Sequence, residues 1–184
     1  MASPTIDDDR LWQFLEIQDY LWIVIVLVCA ILPFISAIRN KTSISLGVVL
    51  SLLLVSFIQY ALSLFTGELF SFNPIDIFSL IPALSLEPSH FHRLVTSGWI
   101  HADWIHVLGN ILVIALVGVP LEQRLGAKRW ILVYILGMLG GNIAWIGTHP
   151  DSWTPAVGAS GAAFGLLGAY MACWPEDKIE FPLL

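Results

Sequence analysis

Five apolar segments, Leu21–Ile38, Ile44–Phe65, Trp104–Leu121, Trp130–Gly147 and Val157–Trp174, constrain this chain more than any other feature, because none of them holds an Asp, Glu, Lys or Arg. A helix needs ~20 such residues, at 1.5 Å rise each, to cross a hydrocarbon core ~30 Å thick. Each segment is therefore read as a transmembrane helix, and the fold class is an all-α polytopic membrane bundle. The composition agrees: 57% of the 184 residues are hydrophobic and 12% are charged, about half the charged fraction of a soluble domain. A net charge of -6 offers phosphate no basic face, which excludes nucleic acid as a partner. Cys29 and Cys173 both lie inside apolar runs, so neither a disulfide scaffold nor a cysteine zinc site is expected.

The basic residues orient the bundle. Arg39 and Lys41 fall between the first two segments, Arg124, Lys128 and Arg129 between the third and fourth, and Lys178 follows the fifth. Basic loops stay cytoplasmic, so the N-terminus and the long stretch from Thr66 to Asp103, with only Arg10 and Arg93, are expected outside. The first apolar run is expected to be a retained helix rather than a signal-peptide core. Asp7, Asp8, Asp9, Glu16 and Asp19 precede it against a lone Arg10, the wrong charge for that role.

Polar groups inside membrane segments are costly and mark functional sites. The third segment opens with His101, Asp103, His106 and Asn110, of which His106 and Asn110 share a helical face. His101 lies about 140° from His106 if the helix already includes it. One chemistry for this cluster is a metal site from His101, Asp103 and His106, although helical zinc histidines usually sit four apart rather than five. Another is a set of neutral hydrogen-bond donors aimed at a reacting atom. Helix packing explains Asn110 alone more easily than the whole set.

The fifth segment begins Gly158-Ala159-Ser160-Gly161. A serine between small residues at a helix N-terminus has open space around its hydroxyl and unpaired N–H groups beside it. Taken alone, such a tetrapeptide also suits simple packing. So do Gly137 with Gly141, and Gly161 with Gly165 and Gly168, whose spacing lets helix backbones approach.

In order, His92-Arg93, Thr96, His101, His106, Asn110, Leu121-Glu122-Gln123-Arg124-Leu125-Gly126 and Gly158-Ala159-Ser160-Gly161 resemble the motifs of the rhomboid family of intramembrane serine proteases. The resemblance runs from about His92 to Trp174. It implies that Ser160 is the nucleophile, that His106, Asn110 and the Ser160 N–H form the oxyanion hole, and that His101, Gly158 and Gly161 line the site. It further implies that Phe164 packs near the catalytic histidine, although periodicity alone reads Phe164 as core. Arg93, Glu122 and Arg124 correspond to structural residues, with His92 standing where the family has tryptophan.

The resemblance also implies six core helices beginning at Ile44, with Leu21–Ile38 as an additional N-terminal helix, so that five of seven helices are present. The expected organisation is an extracytoplasmic segment at 1–20, the extra helix at 21–38 and a partial rhomboid domain at 44–184. In the family, the base that takes the serine proton is a histidine on the sixth core helix. None of His90, His92, His101, His106 and His149 occupies such a place; His149, in the loop before Ser160, is the remaining substitute. Leu184 is accordingly expected to lie within a longer protease, and this chain alone to be inactive.

The expected activity is cofactor-free and metal-free endoproteolysis of transmembrane protein substrates within the lipid bilayer. A prokaryotic plasma membrane is the expected location, with the site opening outward. The alternative is a non-catalytic relative that binds transmembrane clients.

Overall fold

The computed structural model describes residues 17–64, 74–85 and 87–177. Most of the N-terminal segment, including Arg10, and the end of the chain, including Lys178, lie outside the described residues. Five apolar helices make the bundle: α1 (Ile17–Asn40), α2 (Ile44–Ser63), α3 (Trp104–Leu125), α4 (Ala127–Thr148) and α5 (Ser160–Cys173). The first four are long and apolar enough to cross a membrane, whereas α5 has only 14 residues. Relative to the sequence reading, α1, α3 and α4 run on into flanking polar residues such as Arg39, Arg124 and Lys128. Their side chains can reach the interface while the backbone continues the helix.

The opposite correction applies to α5, which starts at Ser160 rather than Val157. Gly158 has φ +115°, a left-handed conformation no helix accepts, and Ala156 pairs with Leu80 in an isolated antiparallel bridge.

α1 and α2 form an antiparallel hairpin that packs tightly at Gly47, where a β-carbon would meet the Pro33 carbonyl at 3.2 Å and Ala37 Cβ at 3.0 Å. α2 buries Ile44, Val48, Ser51, Leu52 and Val55, a spacing of three and four that puts them on one face. Its N-terminus is closed by Glu122 of α3. That carboxylate accepts from the backbone N–H groups of Ile44 (2.7 Å) and Ser45 (2.8 Å) and from the hydroxyls of Ser43 and Ser45 (both 2.7 Å). The N–H groups that a helix start leaves unpaired, together with the positive end of its dipole, explain an acid here with no cationic partner among the described residues.

α3 loosens into a π-helical turn at Ile114–Gly118, just ahead of Pro120, which has no N–H to give to the normal ladder. Gly118 in that turn admits the fully buried Trp130, whose Nε1 would lie 3.2 Å from a β-carbon there.

α4 and α5 meet through glycines. A β-carbon on Gly165 would be 2.7 Å from Gly137 Cα, and one on Gly161 2.9 Å from the Gly137 carbonyl. Gly141 joins the same contact at 3.0 Å from Gly161 Cα, while Gly168 faces open space and takes no part.

At the far end of α5, the Arg124 guanidinium lies over the rings of Tyr170 (5.4 Å) and Trp174 (4.8 Å) and pairs with Asp177. Hydrogen bonds from Arg124 and Tyr170 hold the exposed Asp177 carboxyl below its usual range. Arg39, Lys41, Arg124, Lys128 and Arg129 therefore gather at one end of the bundle, and Arg93 lies in the connection at the other.

Candidate active site

The connection between α2 and α3 is built on short helical turns, Pro74–Phe78, Pro82–Leu84, Pro88–His90 and Arg93–Thr96. Arg93, almost fully buried, ties them together. Its Nε donates to His90 Nδ1 and one terminal nitrogen donates to the carbonyls of Asp76 and Ser79, each at 2.8 Å. Thr96 adds a bond to the Phe78 carbonyl, and the His92 ring faces the carbonyls of Ser89 and Ile77. Asn142 of α4 fixes this connection from below by donating to the Leu94 carbonyl at 2.8 Å.

The same connection places the approach to Ser160. Gly158 N–H donates to the Ser97 carbonyl at 2.9 Å, and the Leu80–Ala156 bridge holds the residues just before it. Without a side chain, Gly158 lets the His106 imidazole and the Asn110 carboxamide come close. A β-carbon there would lie 2.6 Å from His106 Cε1 and Nε2 and 3.5 Å from Asn110 Nδ2. Ser160 follows two residues later as the first residue of α5, with its N–H outside the helical ladder. Among the described residues, neither that N–H nor the Ser160 hydroxyl has a hydrogen-bond partner.

His101 is not on α3. Asp103 caps that helix by accepting from His106 N–H at 2.8 Å, which leaves His101 in the extended segment before it and makes the helical angle to His106 irrelevant. It is 2% exposed and lies edge-on to His106, ring centroids 5.1 Å apart. Nε2 faces two donors, Ala159 N–H at 3.2 Å and Asn110 Nδ2 at 3.0 Å, while Nδ1 faces the Trp99 carbonyl at 3.3 Å. An amide N–H can only donate and a carbonyl can only accept, so the ring is the neutral tautomer protonated on Nδ1. Burial, and then the neighbouring His106, hold its pKa down at about 4. His101 thus orients Asn110, turning the amide nitrogen toward Gly158.

A cleft of about 740 Å³ opens beside Ser160, with His106, Phe164 and the α4 glycines on its walls. Phe164 is 67% exposed there, so the reading of it as core does not hold among the described residues. Gly161 serves the contact with α4. His149 stacks on Trp145 at 3.9 Å and bonds Thr148, eight residues beyond Gly141 and so about 12 Å along α4 from the level of Gly161.

Two participants were not read from the sequence. Gln59 of α2 clasps the His101 backbone, donating to its carbonyl at 2.5 Å and accepting from its N–H at 3.2 Å, and Asn142 supports the loop. A polar residue in an apolar segment was the available sign of each.

Residues 88–183 match the family model described as "Rhomboid domain", more than half of the chain. The chain belongs to the rhomboid family. Its rhomboid relatives include RHOMBOID-like protein 5 of Arabidopsis thaliana, 36% identical over 80 residues, which are 44% of this chain and 26% of that protein. Rhomboid-related protein 3 of Homo sapiens is 38% identical over 96 residues, 50% of this chain and 23% of the relative. Putative rhomboid protease YdcA of Bacillus subtilis (strain 168) is 40% identical over 88 residues, 48% of this chain and 44% of the relative. The rhomboid match thus spans less than half the length of each of these relatives. No solved structure gives a significant match.

Proposed function

We propose that this chain carries the nucleophile and oxyanion hole of an intramembrane serine endopeptidase that acts on transmembrane protein substrates. The observation that supports this most is the convergence at Gly158, where His106 and Asn110 crowd a backbone that leads directly into the unpartnered Ser160. Ser160 Oγ attacks a peptide carbonyl, its proton passing to a base, and the carbonyl oxygen takes up negative charge. His106, Asn110 and the Ser160 N–H are the donors for that charge, each typically worth ~10² to 10³ in rate. The C–N bond then breaks as the base returns the proton to the leaving amine, and water releases the acyl group from Ser160.

The base is a histidine contributed from beyond residues 1–184, entering the cleft in which Phe164 is exposed. Residues 44–184 then belong to the core domain and 21–38 to an additional helix. The basic cluster around Arg124 supports a cytoplasmic placement of that end, with Ser160 toward the opposite side, in a prokaryotic plasma membrane.

The test is labelling by a fluorophosphonate in native membranes of the source, followed by mass mapping. Adduct on Ser160 that disappears in Ser160→Ala, with loss of cleavage of a transmembrane reporter, is the expected result. Binding of the reporter without any adduct would overturn the reading in favour of a non-catalytic client-binding protein.

A further inference from the structure

The additional helix α1 is tied to the site by more than apolar packing. Ser51, buried on α2, donates its hydroxyl proton to the Ala30 carbonyl of α1 at 2.6 Å and accepts the Trp99 indole N–H at 2.7 Å. Trp99 precedes His101 by two residues, and its own carbonyl is the acceptor for His101 Nδ1. On its other nitrogen, His101 receives Asn110, a proposed oxyanion donor, and Ala159, the residue before Ser160. The bonds therefore join end to end from Ala30 through Ser51, Trp99 and His101 to Asn110 and to the residue before Ser160.

Direction in this series is fixed by chemistry. The indole can only donate, so Ser51 must spend its single proton on Ala30. The carbonyl of Trp99 can only accept, so His101 keeps its proton on Nδ1 and presents a bare Nε2 to both amide groups. α2 grips the segment a second time, eight residues further along, where Gln59 pairs with the His101 backbone. Gln59 holds the His101 peptide; the indole anchor sets how Trp99, two residues earlier, is turned. Within a bilayer no water replaces a lost partner, so removing the Ser51 hydroxyl leaves the indole N–H to seek another acceptor and frees Trp99 to move.

We infer that α1 acts on the active site through Ser51 and Trp99, which are positioning residues for His101 and, through it, for Asn110. The inference rests on the proposed role of Asn110 only for its effect on rate. Its structural content is the link between α1 and the His101 ring.

The experiment uses the full-length gene product in lipid nanodiscs with 15N-labelled histidine, the His101 resonances being assigned by their absence in His101→Gln. In the unmodified protein His101 shows a protonated Nδ1 and an unprotonated Nε2. Ser51→Ala and, independently, Trp99→Phe are expected to turn that pattern into a mixture of tautomers and to slow phosphonate labelling of Ser160 by about tenfold or more. Ser51→Thr, which returns the hydroxyl, is expected to restore both.

An unchanged His101 pattern in a folded Ser51→Ala or Trp99→Phe protein overturns the inference, as does a Ser51→Thr variant that folds and fails to restore it. Should Ser51→Ala not fold, Trp99→Phe carries the same test with an aromatic ring kept at that position and the indole N–H removed. If the unmodified protein takes no label at all, the hydrolase reading fails while the nitrogen pattern still decides the relay.

Discussion

A β-carbon on Gly158 would stand 2.6 Å from the imidazole of His106. This near-contact explains why the residue two before Ser160 is a glycine twice over, since φ +115° already disfavours any other side chain. Gly158→Ala must push His106 out of place or reopen the backbone. The expected cost is about 1–3 kcal/mol of stability, with phosphonate labelling of Ser160 down by ~10². Parallel unfolding and labelling measurements check this, and an alanine variant labelled at the normal rate would contradict the geometry.

The contact between α4 and α5 makes a sharper comparison. Gly165→Ala places a methyl 2.7 Å from a backbone atom of Gly137, and neither backbone can yield by rotating a side chain. Destabilisation of about 1–3 kcal/mol is expected. Gly168→Ala, one turn on and facing open space, is expected to be neutral or slightly stabilising, since alanine is the better helix former. Unfolding curves in mild detergent that fail to separate the two variants would refute the glycine contact.

Glu122 supports the start of α2 through four hydrogen bonds, one to Oε1 and three to Oε2. Glu122→Gln replaces one of these acceptors with an amide donor facing N–H and O–H groups that also donate. The loss should be on the order of 3 kcal/mol, as for hydrogen bonds to a charged group. Proteolysis of the Asn40–Ser45 turn in membranes, faster in the variant than in the parent, is the readout.

His101 sets an acid limit. Its pKa in the fold is about 4, below the ordinary 6.5, so the fold favours the neutral ring. That contribution is fully present above pH 6.5 and is lost as pH falls toward 4, a span worth about 3 kcal/mol. Carboxylates lose stability over part of the same range, so the informative quantity is the difference between parent and His101→Gln. The gap between their thermal midpoints should narrow from pH 7 to pH 4. A gap independent of pH would place the proton elsewhere.

Much of this was readable from apolar runs and charge. The helices, the basic end and the glycine contact follow from spacing, because lipid permits few alternatives to a helix and few side chains between helices that touch. His106 and Asn110 were legible as a pair one turn apart. His101 was not legible as their organiser, because its five-residue offset makes sense only once Asp103 is seen to cap α3 and leave His101 in extended chain. Gln59 and Asn142 were hidden for a related reason. Each bonds backbone 42 and 48 residues away, a distance that periodicity cannot bridge. Phe164 carried the helical spacing of a core residue, and spacing gives a direction without saying what stands there.

Under the role proposed for Ser160, the shortness of α5 carries a consequence for the substrate. Fourteen residues make a helix about 21 Å long, some 9 Å less than the apolar thickness of a bilayer. Placing the Trp174 end, with Arg124 and Asp177, at one interface, as proposed from the basic residues, puts the serine below the opposite surface. A polypeptide that reaches this depth as an intact helix keeps its carbonyls bonded along its own axis and shields them with its side chains. On that reading, selection at such a depth would fall on how readily a visiting helix comes undone, a property of its backbone, before the identity of any side chain is read.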